Sequence, residues 1–251
     1  RATMGRYTPG SVFKIVTTAA ALRYMPDADG RTWNCDGPLV FDTESERVLS
    51  NVHFSEAEDK AWREEQRNPK RSASSAPENE EDNQGVQDDQ STPAEELDSG
   101  LSIGDYKLLR DYQSSYHGEL TLKQALAVSC NHTFAQIALE LGNEKMNRMA
   151  EELGFGENFM FDDTMVYTSS FVKGDTQYRS GWSAIGQHKD LVTPLHMTMI
   201  SAAIANNGVM MEPKLLRGVK LGNNYMTHTL SPEKYKTVLR QEEAEKMAEY
   251  M

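Results

Sequence analysis

Apolar residues recur along this chain mainly at helical spacing, and they fall into separate blocks. The first block, residues 12–22, follows a Pro-Gly turn and is apolar at nearly every position, which is typical of a helix buried on all sides. Later blocks show the period of amphipathic helices. They predict helices over 119–128, 134–141, 144–153 and 193–207, and a short hairpin arm over 209–216. The pattern therefore predicts a mainly helical protein with few strands.

Lys14 lies inside the first apolar block, three residues after Ser11. In a helix these two side chains share one face, one turn apart. A buried ammonium is costly unless it has a partner or loses its proton, and a hydroxyl beside a partly deprotonated lysine is a nucleophile beside its base. The pair predicts serine acyl-transfer chemistry. The alternative is structural, with Ser11 as a helix cap and Lys14 extending its ammonium to solvent.

The same S-x-x-K spacing occurs twice more, from Ser170 to Lys173 and from Ser231 to Lys234. Ser170 lies in a β-branched, aromatic stretch without a helical pattern. Ser231 precedes a proline in a charged segment and predicts an exposed helix N-cap. Only Ser11 combines a preceding turn, a helix N-terminus that stabilises negative charge, and an apolar site. We therefore predict the nucleophile at Ser11.

A second polar pair, Ser129 and Asn131, interrupts the helical pattern between two apolar blocks. The predicted helix over 119–128 ends there, and the next one begins shortly afterwards. A tight turn between helices can direct a hydroxyl and an amide into one cleft, so both are candidate site residues. In isolation the same residues would also make an ordinary cap between helices.

Charge is distributed unevenly over the 251 residues. Residues 55–100 carry 14 acidic and 5 basic side chains, a net −9 out of −12 for the whole chain. Such a segment, with almost no large apolar residue after position 72, buries too little apolar surface to offset its ordering entropy. We expect a disordered acidic insertion between residues 1–54 and 101–251, with a folded acidic module that binds a partner as the alternative. The rest of the chain is nearly neutral, which gives no sign of nucleic-acid binding.

The spacing of the cysteines and histidines predicts no metal site, and the sequence predicts no cofactor. Cys35 and Cys130 are too few for a disulfide framework, and nothing in the sequence shows that they approach each other. The place of Cys130 between Ser129 and Asn131 favours a free thiol. The six histidines lack a metal-binding spacing, no cysteine pair offers a zinc site, and no glycine-rich phosphate loop occurs.

Three separated segments resemble, in the expected order, the class B penicillin-binding proteins, which are monofunctional transpeptidases. The segments are Tyr-Thr-Pro-Gly-Ser-Val-Phe-Lys ending at Lys14, the stretch 120–131 ending in Ser-Cys-Asn, and Ile-Gly-Gln at 185–187 followed by 192–213. The family is recognised by S-x-x-K, S-D-N and K-T-G motifs. The resemblance implies the α/β fold that these enzymes share with serine β-lactamases. Residues 1–54 and 101–251 would supply mainly its helical part.

The resemblance also implies a peptidoglycan D,D-transpeptidase. Ser11 would attack the D-Ala-D-Ala end of a stem peptide while Lys14 takes its proton, giving an acyl-enzyme. Ser129 would pass a proton to the departing D-Ala, and Asn131 would hold the substrate amide and orient Lys14. An amine from a neighbouring strand would complete the cross-link, and β-lactams would acylate Ser11 as mimics of the donor.

The third family motif is where the sequence departs from the pattern. No K-T-G occurs, since Lys236-Thr237 is followed by Val238. The resemblance places this motif on a strand after a helix near 242–251, so we expect a transpeptidase domain truncated before K-T-G and inactive by itself. It further implies an N-terminal anchor, outside this sequence, at the outer face of the cytoplasmic membrane. Other cell-wall synthesis proteins are candidate partners there.

Three other functions fit parts of the same sequence. A D,D-carboxypeptidase differs only in using water as the acceptor. A serine β-lactamase needs a deacylating glutamate in an E-x-x-L-N pattern, which the sequence lacks. A non-catalytic β-lactam sensor or scaffold would keep the acylation residues without turnover.

Overall fold

The structure, a computed structural model, describes residues 2–49, 102–103, 106–111, 116–158, 160–161, 164–220, 222 and 226–251. The predicted acidic insertion over 55–100 lies outside these residues. The described ranges contain α-helices α1 Lys14–Tyr24, α2 Leu122–Ala127, α3 Asn131–Leu141, α4 Asn143–Glu152, α5 Gln177–Ala184, α6 Pro194–Ala205 and α7 Gln241–Tyr250. Among the residues described, no helix combines the length and apolar character that crossing a membrane requires.

The strands are short and pair in small sheets. They are β1 Thr32–Cys35, β2 Leu39–Asp42, β3 Ser102–Ile103, β4 Tyr106–Leu109, β5 Gly118–Thr121, β6 Met160–Phe161, β7 Thr164–Met165, β8 Val209–Met211, β9 Gly218–Lys220, β10 Met226–Thr229 and β11 Lys234–Thr237. The pairs β1–β5, β2–β4, β3–β4, β6–β7, β8–β11 and β9–β10 are all antiparallel. The mainly helical prediction is confirmed.

Helix α1 occupies the core, as the apolar block over 12–22 predicted. Its residues Val16, Ala19, Ala20 and Ala21 are fully buried, and the helix packs against α2, α3, α4 and α7. Small alanine side chains permit this close approach of several helices to one axis. The helix is preceded by a 3-10 turn over Gly10–Phe13, so Ser11 lies in the tighter turn and Lys14 is the first α-helical residue.

The predicted helix over 119–128 is partly wrong, because its first three residues belong to strand β5. Leu120 is buried between exposed Glu119 and half-buried Thr121, which is the alternation of a strand. Thr121 then caps α2 in a capping box with Gln124, so that the helix begins only at Leu122.

Two predictions near the C-terminal end are also wrong. The residues after Ser231 form no capped helix, because 234–237 is strand β11. The arm over 209–216 is no hairpin, since β8 pairs with β11 across a long connection. Gly208 makes this pairing fit: its φ is +83°, and a Cβ built there would lie 2.2 Å from the Leu239 carbonyl oxygen.

Gly186 holds the loop before α6 against the turn that carries Ser11. Its carbonyl accepts a hydrogen bond of 2.9 Å from the Gly10 amide. Its φ is +72°, and an added Cβ would lie 2.4 Å from the Gly10 oxygen and 2.7 Å from Phe13 Cβ. The contact leaves no room for a side chain.

We therefore expect Gly186→Ala to lower the free energy of unfolding by at least about 2 kcal/mol, because a left-handed conformation and an overpacked contact both become costly. Urea denaturation measures this change. Gly30→Ala is the matched control, since nothing lies within 4 Å of its added Cβ. Equal stability of the two variants would contradict the close contact.

Candidate active site

The ammonium of Lys14 lies at the centre of a polar cluster in the core. The residue is 1% exposed, and Nζ donates to Ser129 Oγ at 2.8 Å and to Asn131 Oδ1 at 2.7 Å. It also contacts the Ser129 carbonyl oxygen and lies 3.4 Å from Ser11 Oγ. The four residues predicted as the site, Ser11, Lys14, Ser129 and Asn131, are therefore brought together.

Burial changes the acidity of this ammonium. Desolvation lowers the pKa of Lys14 from 10.5 to about 8, while the charges of Asp111 and Cys130 act in the opposite direction. The ring of Phe134 covers one side, with its centroid 5.7 Å from Nζ. A lysine with this pKa releases its proton close to neutral pH, which a general base requires.

Ser11 lies at the solvent-exposed edge of the cluster, on the 3-10 turn before α1. The turn is anchored by Phe13, whose ring stacks on Phe171 at 5.5 Å and meets Phe155 edge-on at 5.6 Å. Gly10, with φ +58°, turns the chain immediately before the serine. The Ser11 hydroxyl is thus accessible from outside, while its lysine partner is covered.

Ser129 and Asn131 lie on the tight turn between α2 and α3, as predicted. Ser129 has φ +56°, a left-handed conformation that is uncommon for residues other than glycine. Asn131 is the first residue of α3; its Oδ1 faces Lys14 and its Nδ2 donates to the Arg110 carbonyl at 3.0 Å. The backbone amide of Asn131 donates to the Asp111 carboxylate. The turn therefore holds both side chains toward Lys14.

The two other S-x-x-K pairs do not reproduce this geometry. Lys173 Nζ donates to Glu144 at 2.9 Å, and Ser170 forms a backbone bridge with Leu191. Ser231 lies in an exposed segment just before β11.

A second cluster lies directly behind the turn, and no pattern in the sequence indicated it. The donor atoms of Cys35, Asp111, His117 and Cys130 all lie within 4.8 Å of one another. The two sulfur atoms are 3.3 Å apart, and Asp111 Oδ2 lies 3.2 Å from Cys35 Sγ and 3.0 Å from Cys130 Sγ. His117 Nδ1 is 3.5 Å from Cys35 Sγ and 3.3 Å from Asp111 Oδ2.

Each of the four side chains offers one ligand atom of a type that metal ions use, whereas the sequence predicted no zinc site from a cysteine pair. No short sequence motif contains all four residues. Cys35 ends β1, Asp111 follows β4, His117 precedes β5 and Cys130 is the N-cap of α3. The thiols also affect each other: their contact lowers the pKa of Cys130 to about 7, whereas the same contact and burial raise that of Cys35. The free thiol predicted for Cys130 agrees with the structure, in which Cys35 is also a free thiol.

The family follows from comparison with known proteins. The model of the penicillin binding protein transpeptidase domain matches residues 82–251, and the chain belongs to this family. The matched span includes Ser129 and Asn131 and begins after Ser11 and Lys14.

Curated relatives match over part of their length. Peptidoglycan D,D-transpeptidase PbpA of Mycolicibacterium smegmatis is 28% identical over 132 residues, covering 53% of this chain and 27% of that protein. Peptidoglycan D,D-transpeptidase MrdA of Acinetobacter baumannii is 29% identical over 128 residues, covering 45% of this chain and 18% of that protein. The matched region thus spans about a quarter or less of these relatives.

Solved structures show the same fold. Penicillin-binding protein A from M. tuberculosis, in an imipenem acyl-enzyme complex, matches 100% of this chain and 44% of that chain, with TM-score 0.67 and 21% identity. The D,D-transpeptidase domain of a peptidoglycan glycosyltransferase from Eggerthella lenta matches 100% of this chain and 49% of that chain, with TM-score 0.63 and 22% identity. The penicillin-binding transpeptidase fold expected from the sequence is therefore confirmed.

The pKa of Lys14 makes a prediction about stability. Between about 8, its pKa in the folded chain, and 10.5, its ordinary value, the unfolded chain binds more protons than the folded one. The free energy of unfolding therefore rises with pH across this window and is flat below it, as far as this group is concerned. The rise amounts to about 3 kcal/mol at most.

Lys14→Met keeps the length of the side chain and removes the titrating group. We expect urea denaturation between pH 7.5 and 10.5 to show the natural protein gaining stability relative to this variant as pH rises. Taking the difference removes the contributions of groups that do not interact with Lys14. Parallel pH profiles would mean that Lys14 keeps an ordinary pKa.

Proposed function

We propose that the protein is a peptidoglycan D,D-transpeptidase that forms an acyl-enzyme on Ser11. The observation that carries this proposal is the buried Lys14 ammonium, placed within reach of Ser11 Oγ, Ser129 Oγ and Asn131 Oδ1. Family membership and the names of the curated relatives support the same activity. The substrate is the D-Ala-D-Ala end of a stem peptide.

Acylation begins with attack of Ser11 Oγ on the penultimate D-Ala carbonyl. Lys14 Nζ, 3.4 Å away, takes the hydroxyl proton. With a pKa of about 8, roughly one-tenth of Lys14 is neutral at pH 7 and ready to act as base. Contraction of this distance on substrate binding is usual for catalytic hydrogen bonds.

Departure of the terminal D-Ala needs a proton on its nitrogen. Ser129 Oγ, 2.8 Å from Lys14 Nζ, passes that proton outward from the ammonium to the leaving amine. Asn131 Oδ1 accepts a hydrogen bond from Lys14 Nζ and fixes its position, while Asn131 Nδ2 donates one proton to the Arg110 carbonyl oxygen. The second Nδ2 proton serves the amide of the substrate.

The second half-reaction is attack of an amine on the Ser11 ester, which links two peptidoglycan strands and frees the serine. β-Lactams acylate Ser11 because their strained amide replaces the donor peptide bond. Peptidoglycan lies outside the cytoplasm, so we place this domain at the outer face of the cytoplasmic membrane, together with other cell-wall synthesis proteins.

We also infer that residues 1–54 and 101–251 form one domain with the acidic stretch 55–100 inserted. Strands from both sides pair with each other, β1 with β5 and β2 with β4. Helix α1 packs against α2, α3 and α4, which all follow the stretch. These contacts support a single folding unit.

Labelling with a fluorescent penicillin tests the nucleophile. In the full-length protein, Ser11→Ala should abolish the covalent label, because the attacking oxygen is lost. Lys14→Ala should slow acylation by at least about 10²-fold, the usual contribution of a general base. Mass spectrometry of the labelled peptide identifies the modified residue.

Ser170→Ala and Ser231→Ala are matched controls, since each alters the serine of another S-x-x-K pair, and both should label normally. A label that persists in Ser11→Ala would overturn the assignment. Release of D-Ala without cross-linked product would identify a carboxypeptidase, and rapid turnover of nitrocefin a β-lactamase.

A further inference from the structure

Asp190 is a carboxyl group in the core, outside the candidate active site. The residue is 0% exposed and lies at the end of the loop that follows Gly186. Its Oδ1 accepts a hydrogen bond of 2.8 Å from the Val172 amide, whereas no group in the described part of the chain binds Oδ2. A buried carboxylate is costly, so such a group needs either a cation beside it or a bound proton.

The segments next to Asp190 carry four cationic or titratable side chains, which are Lys173, Arg179, His188 and Lys189. Lys173 donates to Glu144 at 2.9 Å, and Arg179 donates to Asp175 at 2.9 Å. His188 is half-buried and Lys189 is exposed. Over the described ranges, none of the four forms an ion pair with Asp190. Burial therefore raises the pKa of Asp190 to about 7, against hydrogen bonds from Val172 and Ser183.

Ser183 indicates which form of Asp190 fits this geometry. Its hydroxyl lies beside the Asp190 carboxyl group and contacts the Val172 carbonyl oxygen at 2.5 Å. Because a carbonyl oxygen only accepts, the single hydroxyl proton is donated to Val172. The serine oxygen can then only accept from Asp190, so a protonated carboxyl group completes the arrangement. An ionised Asp190 instead competes with Val172 for the one proton of Ser183.

The hydrogen bond to Val172 supports the ring that packs against the Ser11 turn. Phe171 precedes Val172, and its ring stacks on that of Phe13 at 5.5 Å. Phe13 belongs to the 3-10 turn that carries Ser11. A displacement of residue 172 away from Asp190 therefore moves one of the two rings that hold this turn.

The two residues after Asp190 continue the same connection through the backbone. Leu191 exchanges hydrogen bonds of 2.8 and 3.0 Å with Ser170. Val192 exchanges two hydrogen bonds of 2.9 Å with Tyr7, four residues before the candidate nucleophile. The backbone next to Asp190 is thus bonded to both segments that meet at the turn.

Ser183 provides a third connection, through Gly186. The Ser183 carbonyl accepts a hydrogen bond of 2.9 Å from the Gly186 amide, and the Gly186 carbonyl accepts one of 2.9 Å from the Gly10 amide. Ser183 lies near the end of α5, so a change in its hydrogen bonding acts on the loop that touches the Ser11 turn.

We propose that Asp190 is a positioning residue for Ser11: its neutral carboxyl group joins residues 170–172, the end of α5 and the loop before α6, and loss of its proton to solvent loosens the turn that carries Ser11. The effect on acylation rests on the proposed function, since it requires Ser11 to be the nucleophile. The connection between Asp190 and the turn does not depend on that function.

Asp190→Asn tests the proposal, because an amide keeps an acceptor for Val172, offers a donor to Ser183 and cannot ionise. In the full-length protein, the rate constant of acylation by saturating fluorescent penicillin is measured from pH 6 to 8.5. The ratio of the variant's rate constant to that of the natural protein should be near 1 at pH 6 and about 10 at pH 8.5. A displacement of about 1 Å at a catalytic group can cost up to about 10²-fold. The Kd of the noncovalent penicillin complex should be equal in the two proteins.

Asp175→Asn is the matched control, since it makes the same change at an exposed aspartate beside α5. Its acylation rate constant should follow that of the natural protein at every pH. A ratio for Asp190→Asn that stays constant from pH 6 to 8.5 would overturn the proposal.

Hydrogen exchange measures the turn itself, independently of activity. At pH 8.5 the amides of Tyr7, Gly10 and Val172 should exchange at least about 10-fold faster in the natural protein than in Asp190→Asn, and at pH 6 they should exchange equally. Acylation that changes with pH without this change in exchange would assign the effect to the charge alone and overturn the positioning role. If no form is acylated by penicillin, the proposed function fails, while the exchange rates still decide whether Asp190 holds the turn.

Discussion

The burial of one ammonium, that of Lys14, is the constraint on which the rest of the structure depends. An unpaired charge in the core costs several kcal/mol, so the chain must bring acceptors to it. It does so with Ser129 and Asn131, more than a hundred residues away in sequence. Their arrangement fixes how the α2–α3 turn meets the start of α1. The incomplete compensation lowers the pKa of Lys14, and the same deficit makes this group suitable as a base.

The candidate nucleophile is positioned by the packing of its turn and by the backbone hydrogen bond from the Gly10 amide to the Gly186 carbonyl. Ser11 lies on a turn whose neighbour Phe13 is clamped between two aromatic rings, and whose backbone touches Gly186 with no space for a side chain. A close-packed interior transmits small displacements, because it has few voids to absorb them. The distance between hydroxyl and ammonium is therefore set by the core on one side and by the polar turn on the other.

Local patterns allowed part of this arrangement to be predicted from the sequence. The apolar block around Lys14 indicated both the buried helix and the anomalous charge, and the break at Ser129 indicated the turn. The apolar pattern predicts helix where strand β5 lies, because Leu120 and Leu122 suit both periods, and only pairing with β1 decides between them. Strand β11 was missed because its partner β8 lies far away along the chain. The residues of the thiol cluster have no spacing that a known motif would reveal, because they are far apart in the sequence and meet only after folding.

The α2–α3 turn shows why the two clusters belong together. Ser129 has a left-handed backbone, and such strained residues persist only where the surroundings over-determine them. Lys14 holds this turn from the front through two side chains. From behind, Asp111 binds the Asn131 amide, and Cys130 caps the following helix. Cys130, the middle residue of the Ser-Cys-Asn sequence, thus connects the candidate site residues on either side of it to the thiol cluster. The positions of Ser129 Oγ and Asn131 Oδ1 relative to the Lys14 ammonium therefore depend on the contacts that both clusters make with this one short turn.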